Sequence, residues 1–188
     1  MPGYFSTLVE SQIDGTSFST STAETTLLPA VSKIVLPSGY INRIGKRLHV
    51  VAYGRISNII TSPGTLTLRF KLGATANIAV ATSRAISLNA VAKTTVGWYL
   101  DLDMTVRAIG SGTSANIMAG GTFTSESVIS AVGGEANPVT WQDTPAVGTG
   151  FDSSVANQID LTAQFSVSNA GNAIQCHTFA LEDLSTTP

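Results

Sequence analysis

Cysteine is nearly absent from this chain. Cys176 stands alone, so no internal disulfide can form, and one cysteine with two histidines leaves a structural zinc site without ligands. Charge is scarce too. Charged residues make up 12% of the sequence, about half the usual share of a soluble domain, and the formal net charge is only −2. The basic residues are scattered, with Arg43, Lys46 and Arg47 as their closest grouping. Neutralising several phosphates needs a concentrated basic face, so direct binding of nucleic acid is not expected. No apolar run approaches the roughly 20 residues of a membrane span, so no membrane partner is expected. The opening residues, Met1-Pro2-Gly3-Tyr4-Phe5-Ser6-Thr7, lack a basic stretch followed by an apolar core and do not read as a signal peptide. There is no Asn-x-Ser/Thr sequon. With the lone cysteine, that favours a protein made in a reducing cytoplasm.

Hydroxyls and apolar side chains are what the sequence has in quantity. It contains 24 Thr and 21 Ser, and 43% of its residues are hydrophobic. Its surface is therefore built from Ser, Thr, Asn and Gly more than from Lys and Glu. Such a surface suits a protein covered by neighbours, since a free monomer relies on charge for solubility. A length of 188 residues fits one domain and can bury about two-thirds of the surface its unfolded chain exposes.

The periodicity is that of strands. Leu48, Val50, Ala52, Gly54 and Ile56 alternate with His49, Val51, Tyr53, Arg55 and Ser57. After Thr61-Ser62-Pro63-Gly64, Leu66, Leu68, Phe70 and Leu72 alternate with polar residues, which predicts an antiparallel hairpin. The longest pattern begins at Thr95: Val96, Trp98, Leu100, Leu102, Met104, Val106 and Ala108 are apolar at every second position. A 3.6-residue period would put Asp101 and Asp103 in the core, so a helix is excluded. Ile117 to Phe123, Ile159 to Val167 and Ala173 to Leu181 read as further strands, 77–81 and 84–88 as weaker ones, and Val31 to Leu36 as a first firm strand. Residues 131–154, rich in Gly, Pro and Asp, form the longest candidate loop, with Trp141 inside it. The expected fold is all-β: a jelly-roll-like antiparallel β-sandwich over 31–188, preceded by an extended N-terminal arm over 1–30.

Few residues point to chemistry. His49 and His177 lie on strands, with no Gly-x-Ser-x-Gly or His-Glu-x-x-His motif, and read as structural. Asp101 and Asp103 share a strand face about 7 Å apart, the spacing of a calcium site, a glycosidase pair or an ordinary solvated face. Arg107, further along that face, can pair across a neighbouring strand. Cys176 sits among Ile174 and Phe179 as a buried thiol. Gly110-Ser111-Gly112 lacks the Gly-Lys-Ser/Thr ending of a phosphate loop. Trp98 is an inward residue. Trp141 is either an interface or sugar-site aromatic or an anchor that folds its loop back on the domain. No cofactor and no enzymatic activity are expected.

Four segments carry a resemblance. They are Lys33-Ile34-Val35-Leu36-Pro37 through Gly45-Lys46-Arg47-Leu48; Gly54-Arg55-Ile56-Ser57 with Ser62-Pro63-Gly64-Thr65-Leu66-Thr67-Leu68-Arg69; Trp98-Tyr99-Leu100 with Val106-Arg107-Ala108-Ile109-Gly110; and Asn172-Ala173-Ile174-Gln175-Cys176-His177. Over about residues 30–184 the chain resembles small virion structural proteins of tailed bacteriophages. The resemblance implies a jelly-roll domain, assembled as a homotrimer on the virion exterior after synthesis in the host cytoplasm. The first role it implies is a capsid decoration (cement) subunit bound to the major capsid protein or other virion subunits. The alternative is a tail or fibre module that recognises a host surface glycan through Trp141 and the 131–154 loop. In the decoration reading the arm fastens to the shell or a neighbour, and Tyr4, Phe5, Leu8, Val9 and Trp141 are the candidate interface residues.

Overall fold

The structure is a computed structural model that describes residues 6–129 and 138–185. Among these residues the chain forms fourteen strands and one short 3-10 turn, Ala30–Ser32. The arm contributes β1 (Ser6–Glu10), β2 (Phe18–Ser19) and β3 (Thr25–Thr26). Next come β4 (Val35–Leu36), β5 (Arg47–Asn58), β6 (Thr65–Leu72), β7 (Ile78–Thr82) and β8 (Ile86–Ser87). The second half holds β9 (Lys93–Ala108), β10 (Asn116–Ser125), β11 (Val139–Thr140), β12 (Asn157–Gln158), β13 (Asp160–Phe165) and β14 (Ala173–Asp183).

Twelve of these strands build two large antiparallel sheets, and β4 and β12 pair as a separate two-stranded one. The larger has seven strands in the order β1-β14-β5-β9-β10-β11, with β2 also paired to β14. The smaller has five, in the order β3-β13-β6-β7, with β8 also paired to β6. The alternating apolar residues of both sheets face one another and form a single core. Leu48, Val50, Ala52 and Ile56 of β5 and Leu100, Leu102 and Met104 of β9 meet Leu66, Leu68 and Phe70 of β6 and Leu161 and Phe165 of β13. The inward sets anticipated on β5 and β6 are the buried ones; on β9 Val96 and Ala108 are half-buried, and on β13 the outward Asp160 and Thr162 are buried too.

Topology corrects one expectation. Strands β5 and β6 do not form a hairpin: β5 pairs with β14 and β9, while β6 pairs with β13, β7 and β8. Both strands bury an apolar face on the same core, but from opposite sheets, so the segment between them crosses the sandwich. The segment between β13 and β14 crosses beside it, because β13 pairs with β6 and β14 with β5. Two paired strands passing together from sheet to sheet make the jelly-roll-like wrap, to which β9 and β10 add a meander. Fully buried Asn172 ties the two crossings: its amide nitrogen donates to the Pro63 carbonyl at 2.9 Å and its oxygen accepts from the Ile59 N–H at 3.1 Å.

One further expectation changes. Val31 to Leu36 is not one strand. Pro29 introduces the 3-10 turn, Val31 and Val35 are exposed, and only Val35–Leu36 pairs, with β12. The described part of the arm lies along its own domain. β1 and β2 extend the large sheet beside β14, and β3 extends the small one beside β13. Phe18 packs its ring 5.3 Å from Phe165. Glu24 accepts from the Thr162 hydroxyl at 2.6 Å and lies 3.0 Å from the Lys71 ammonium. The arm's short strands pair with open strand edges of the same chain, which shields backbone groups otherwise free to pair with other proteins.

Candidate functional site

The outer face of the seven-stranded sheet gathers most of the polar residues singled out above. Register places Glu182, His49 and Asp103 side by side across β14, β5 and β9. His49 Nδ1 lies 3.2 Å from Glu182 and Nε2 lies 3.2 Å from Asp101. Burial opposes charging of this ring, but hydrogen bonds to Glu182 and Asp101 and the nearby Asp103 outweigh it and raise the His49 pKa above 6.5. Arg47 donates to Asp103 at 2.9 Å. Asp101 and Asp103 are therefore engaged by cross-strand basic groups. Both ring nitrogens of His49 meet carboxylates, which leaves neither poised to take a proton from a nucleophile. Among the described residues no group of three or more His, Cys, Asp or Glu is arranged to hold a metal ion. His177 pairs with Asp14 of the arm at 2.9 Å.

Further along the same face the charge gives way to aromatic surface. Tyr53 of β5 and Tyr99 of β9 are direct cross-strand partners, 48% and 43% exposed. They border an open depression of about 410 Å³ whose lining includes Gly97, Thr124 and Glu126. Neither tyrosine was marked by the sequence as more than an outward residue of a half-buried strand. Their juxtaposition depends on the β5–β9 register, which no local pattern reveals.

A second feature lies at the end of the sandwich where β5 starts and β9 finishes. Ile44, Val35, Ile109 and Val155 are all exposed there, Ile44 at 64%. Backbone contacts hold their segments together. The Gly45 N–H donates to the Val106 carbonyl at 2.8 Å, the Ser153 N–H donates to the Gly110 carbonyl at 2.9 Å, and Ser38 bonds the Ser154 carbonyl. Lys46 and Tyr40 brace this end from inside. The Lys46 ammonium sits 2.7 Å from Asp183 and 4.0 Å from the centre of the Tyr40 ring, whose hydroxyl donates to Asp183 at 2.6 Å.

The predicted interface residues separate. Tyr4 and Phe5 lie outside the described residues. Leu8 and Val9 are half-buried on β1 and pack against the core. Of the two readings open for Trp141, interface or sugar-site aromatic and loop anchor, the first does not fit its place in the core and the second does. Trp141 is 1% exposed, because its backbone is drawn in on both sides: its N–H donates to the Gly121 carbonyl at 2.9 Å and its carbonyl accepts from the Arg84 N–H at 2.6 Å. It is the loop anchor, and its ring offers nothing to a ligand. Residues 138–154, the described part of that loop, otherwise run close to the domain, with Gly148 bonded to the Ile117 carbonyl at 2.9 Å. Cys176 is buried, and desolvation pushes its thiol up to about 12. Trp98 is also buried, stacked on Phe123 at 5.7 Å.

No protein-family model matches the chain, and no curated protein matches it. Two solved structures show a weak similarity to the chain. One is the CBM2 module of the evolved Dit of Lactobacillus casei BL23 phage J-1, 9% identical, with a TM-score of 0.34 over 82% of this chain and 69% of that one. The other is a protein of unknown function from Shewanella oneidensis MR-1, 11% identical, with a TM-score of 0.38 over 98% of this chain and 80% of that one.

Proposed function

We propose that this chain is a structural virion subunit, a capsid decoration protein of a tailed phage, that works by burying surface against copies of itself and the shell beneath. The observation that carries the reading is the apolar end formed by Ile44, Val35, Ile109 and Val155. Four branched aliphatic side chains project there from segments that backbone hydrogen bonds hold in place, on a chain whose surface is otherwise rich in hydroxyls and poor in charge. Exposed apolar surface of this kind is what an interface buries. Repeated by symmetry, modest contacts fasten a subunit through avidity, which requires a homo-oligomer, and a trimer suits the reading. The resemblance of the strand and turn segments to phage virion proteins supports the same role. In this reading the chain has no catalytic task and no cofactor, and it resides on the virion.

Light scattering on the purified protein, alone and mixed with undecorated heads of its phage, tests the proposal. A trimer that adds to heads in fixed stoichiometry is expected. The double substitution Ile44→Asp, Val155→Asp should abolish addition while leaving far-UV circular dichroism unchanged, because both side chains already face solvent. A wild-type monomer that ignores the heads, or a double variant that still decorates them, refutes it.

A further inference from the structure

Four glycines interrupt the interiors of β5, β9 and β10, and the fold requires only two of them. A Cβ on Gly54 would lie 1.9 Å from the Gln175 carbonyl oxygen, and one on Gly121 would lie 2.0 Å from that of Asp101. Close backbone approach explains both. A Cβ on Gly97 or Gly120 would meet nothing within 4 Å, and neither residue has a positive φ. Glycine inside a strand weakens it relative to alanine, so at these positions it loosens the sheet with no return to the fold. Its effect is to keep the outer face of the sheet flat and open, which matters where a ligand comes close to the backbone.

The surroundings of Gly97 show what that ligand would meet. Tyr53 and Tyr99 stand side by side at the edge of the depression over Gly97. Arg55 is the cross-strand partner of Gly97, but its guanidinium turns the other way, toward β14, where Nε and a terminal nitrogen donate to Gln175 Oε1 at 3.1 and 2.8 Å. The Ser125 hydroxyl donates to the Gly97 carbonyl at 2.8 Å and fixes the floor. Thr124 and Glu126 line the far side, with the Glu126 carboxylate 3.8 Å from the Lys93 ammonium.

We propose that this depression is a carbohydrate-binding site in which Tyr53 and Tyr99 stack against pyranose rings of a neutral glycan over the bare backbone of Gly97. A pyranose has an apolar C–H face and a rim of hydroxyls. Two half-exposed phenol rings match the face, and the Thr124 hydroxyl and Glu126 carboxylate match the rim. The volume of about 410 Å³ lies in the usual range for small-ligand sites. An anionic ligand such as a nucleotide fits poorly, because the one charged residue lining the depression is the carboxylate Glu126 and nearby Arg55 is already engaged. A protein sheet laid on this face would also have to desolvate the His49, Asp101, Asp103 and Glu182 row. The site is separate from the apolar end used in assembly.

The test is binding of the purified protein to a panel of immobilised neutral polysaccharides (glucans, mannans, galactans, rhamnans and chitin oligomers), followed by ¹⁵N–¹H NMR titration with a soluble fragment of the one that binds. Retention on at least one member is expected, with shift changes centred on the amides of Gly97, Tyr99 and Thr124. Tyr53→Ala and Tyr99→Ala should each weaken binding at least tenfold. Gly97→Val fills the depression where a Cβ has room, so it should abolish binding with Tm unchanged or raised by about 2–4 °C. Absence of binding to the whole panel overturns the proposal, as does full binding by Gly97→Val. The Ile44→Asp, Val155→Asp protein should bind glycan as the wild type does, which separates failure of this site from failure of the assembly reading.

Discussion

Replacing Trp141 by alanine should unfold much of what the sequence presents as a loop. The ring is 1% exposed and is the bulkiest of the fully buried side chains. A tryptophan buries about 150–250 Å², which at about 25 cal/mol per Å² corresponds to some 4–6 kcal/mol of burial. Partial collapse of the cavity reduces the loss, so about 3–5 kcal/mol is expected, a third or more of a typical domain's stability. No hydrogen bond is lost with the side chain, because Nε1 has no partner. For that reason Trp141→Phe should cost only about 1 kcal/mol, since the smaller ring leaves a partial void but removes an orphaned buried N–H. Urea unfolding followed by far-UV circular dichroism and by Trp98 fluorescence gives both values. With a slope of about 2–3 kcal/mol/M, Trp141→Ala should lower the midpoint by about 1–2 M at unchanged slope. A midpoint within a few tenths of a molar of wild type would show that the loop does not depend on its tryptophan. It would also restore the ring as a candidate surface residue.

Three further outcomes follow from charges and from the arm. Burial alone would raise the Asp183 pKa, but hydrogen bonds from Lys46, Tyr40 and Ser185 hold it at about 2, below its unfolded value of 3.8. A depressed carboxyl contributes stability above the unfolded pKa that is lost as pH falls toward the folded one. Stability should therefore decline between about pH 4 and pH 2, by on the order of 2 kcal/mol from this group, and Asp183→Asn should remove that part of the dependence in urea titrations across the window. His49 titrates in the opposite sense. Its folded pKa is raised above 6.5, so its contribution is complete below that value and is lost as pH rises through the folded pKa. NMR titration of its ring protons should place the midpoint above 6.5, and His49→Gln should flatten the Tm profile as pH rises above 6.5. Deleting residues 1–24 should destabilise the domain by about 3–5 kcal/mol from loss of Phe18 alone, as well as baring the edge of β14. An unchanged Tm by calorimetry would show the arm to be dispensable to the fold.

Periodicity made the long strands legible, because each lies half-buried on one core. The residues of β5, β6 and β9 chosen for the interior by alternation alone are the buried ones, except Val96 and Ala108 toward the ends of β9, which are half-buried. Alternation says which face of a strand is wet, but it is silent on which strand lies beside it. The β5–β6 hairpin failed for that reason. A Pro-Gly segment reads as a tight turn, yet here it bridges two sheets, and the polar anchor that permits this is Asn172, more than a hundred residues away. The run from Val31 to Leu36 failed because apolar content without alternation does not define a strand, and Pro29 had already set the turn. On the last strand the pattern slips at His177, where a bulge shifts the register between Cys176 and Thr178, so that Ile174 and Cys176 and then Phe179 and Leu181 all point inward.

The site was less legible than the fold because its parts are ordinary until they are paired. Tyr53 and Tyr99 each occupy an outward position, where tyrosine is common on strands. Gly97 is one more outward position of a long alternating strand, and Gly54 reads as a bulge or a close approach. Only the register joins the first three into one surface, and only the position of the Gln175 carbonyl distinguishes the glycine the fold needs from the one it does not. Trp141 shows the converse. Loop position and residue type marked it as the aromatic to watch, but the described part of the loop, residues 138–154, lies along the sandwich with its largest side chain spent on the core. Aromatic surface for a ligand then has to come from the sheet, where strand pairing holds both rings at fixed spacing before anything binds. That preorganisation is why a Tyr53–Tyr99 pair on two central strands is a better platform than any residue the loop could offer.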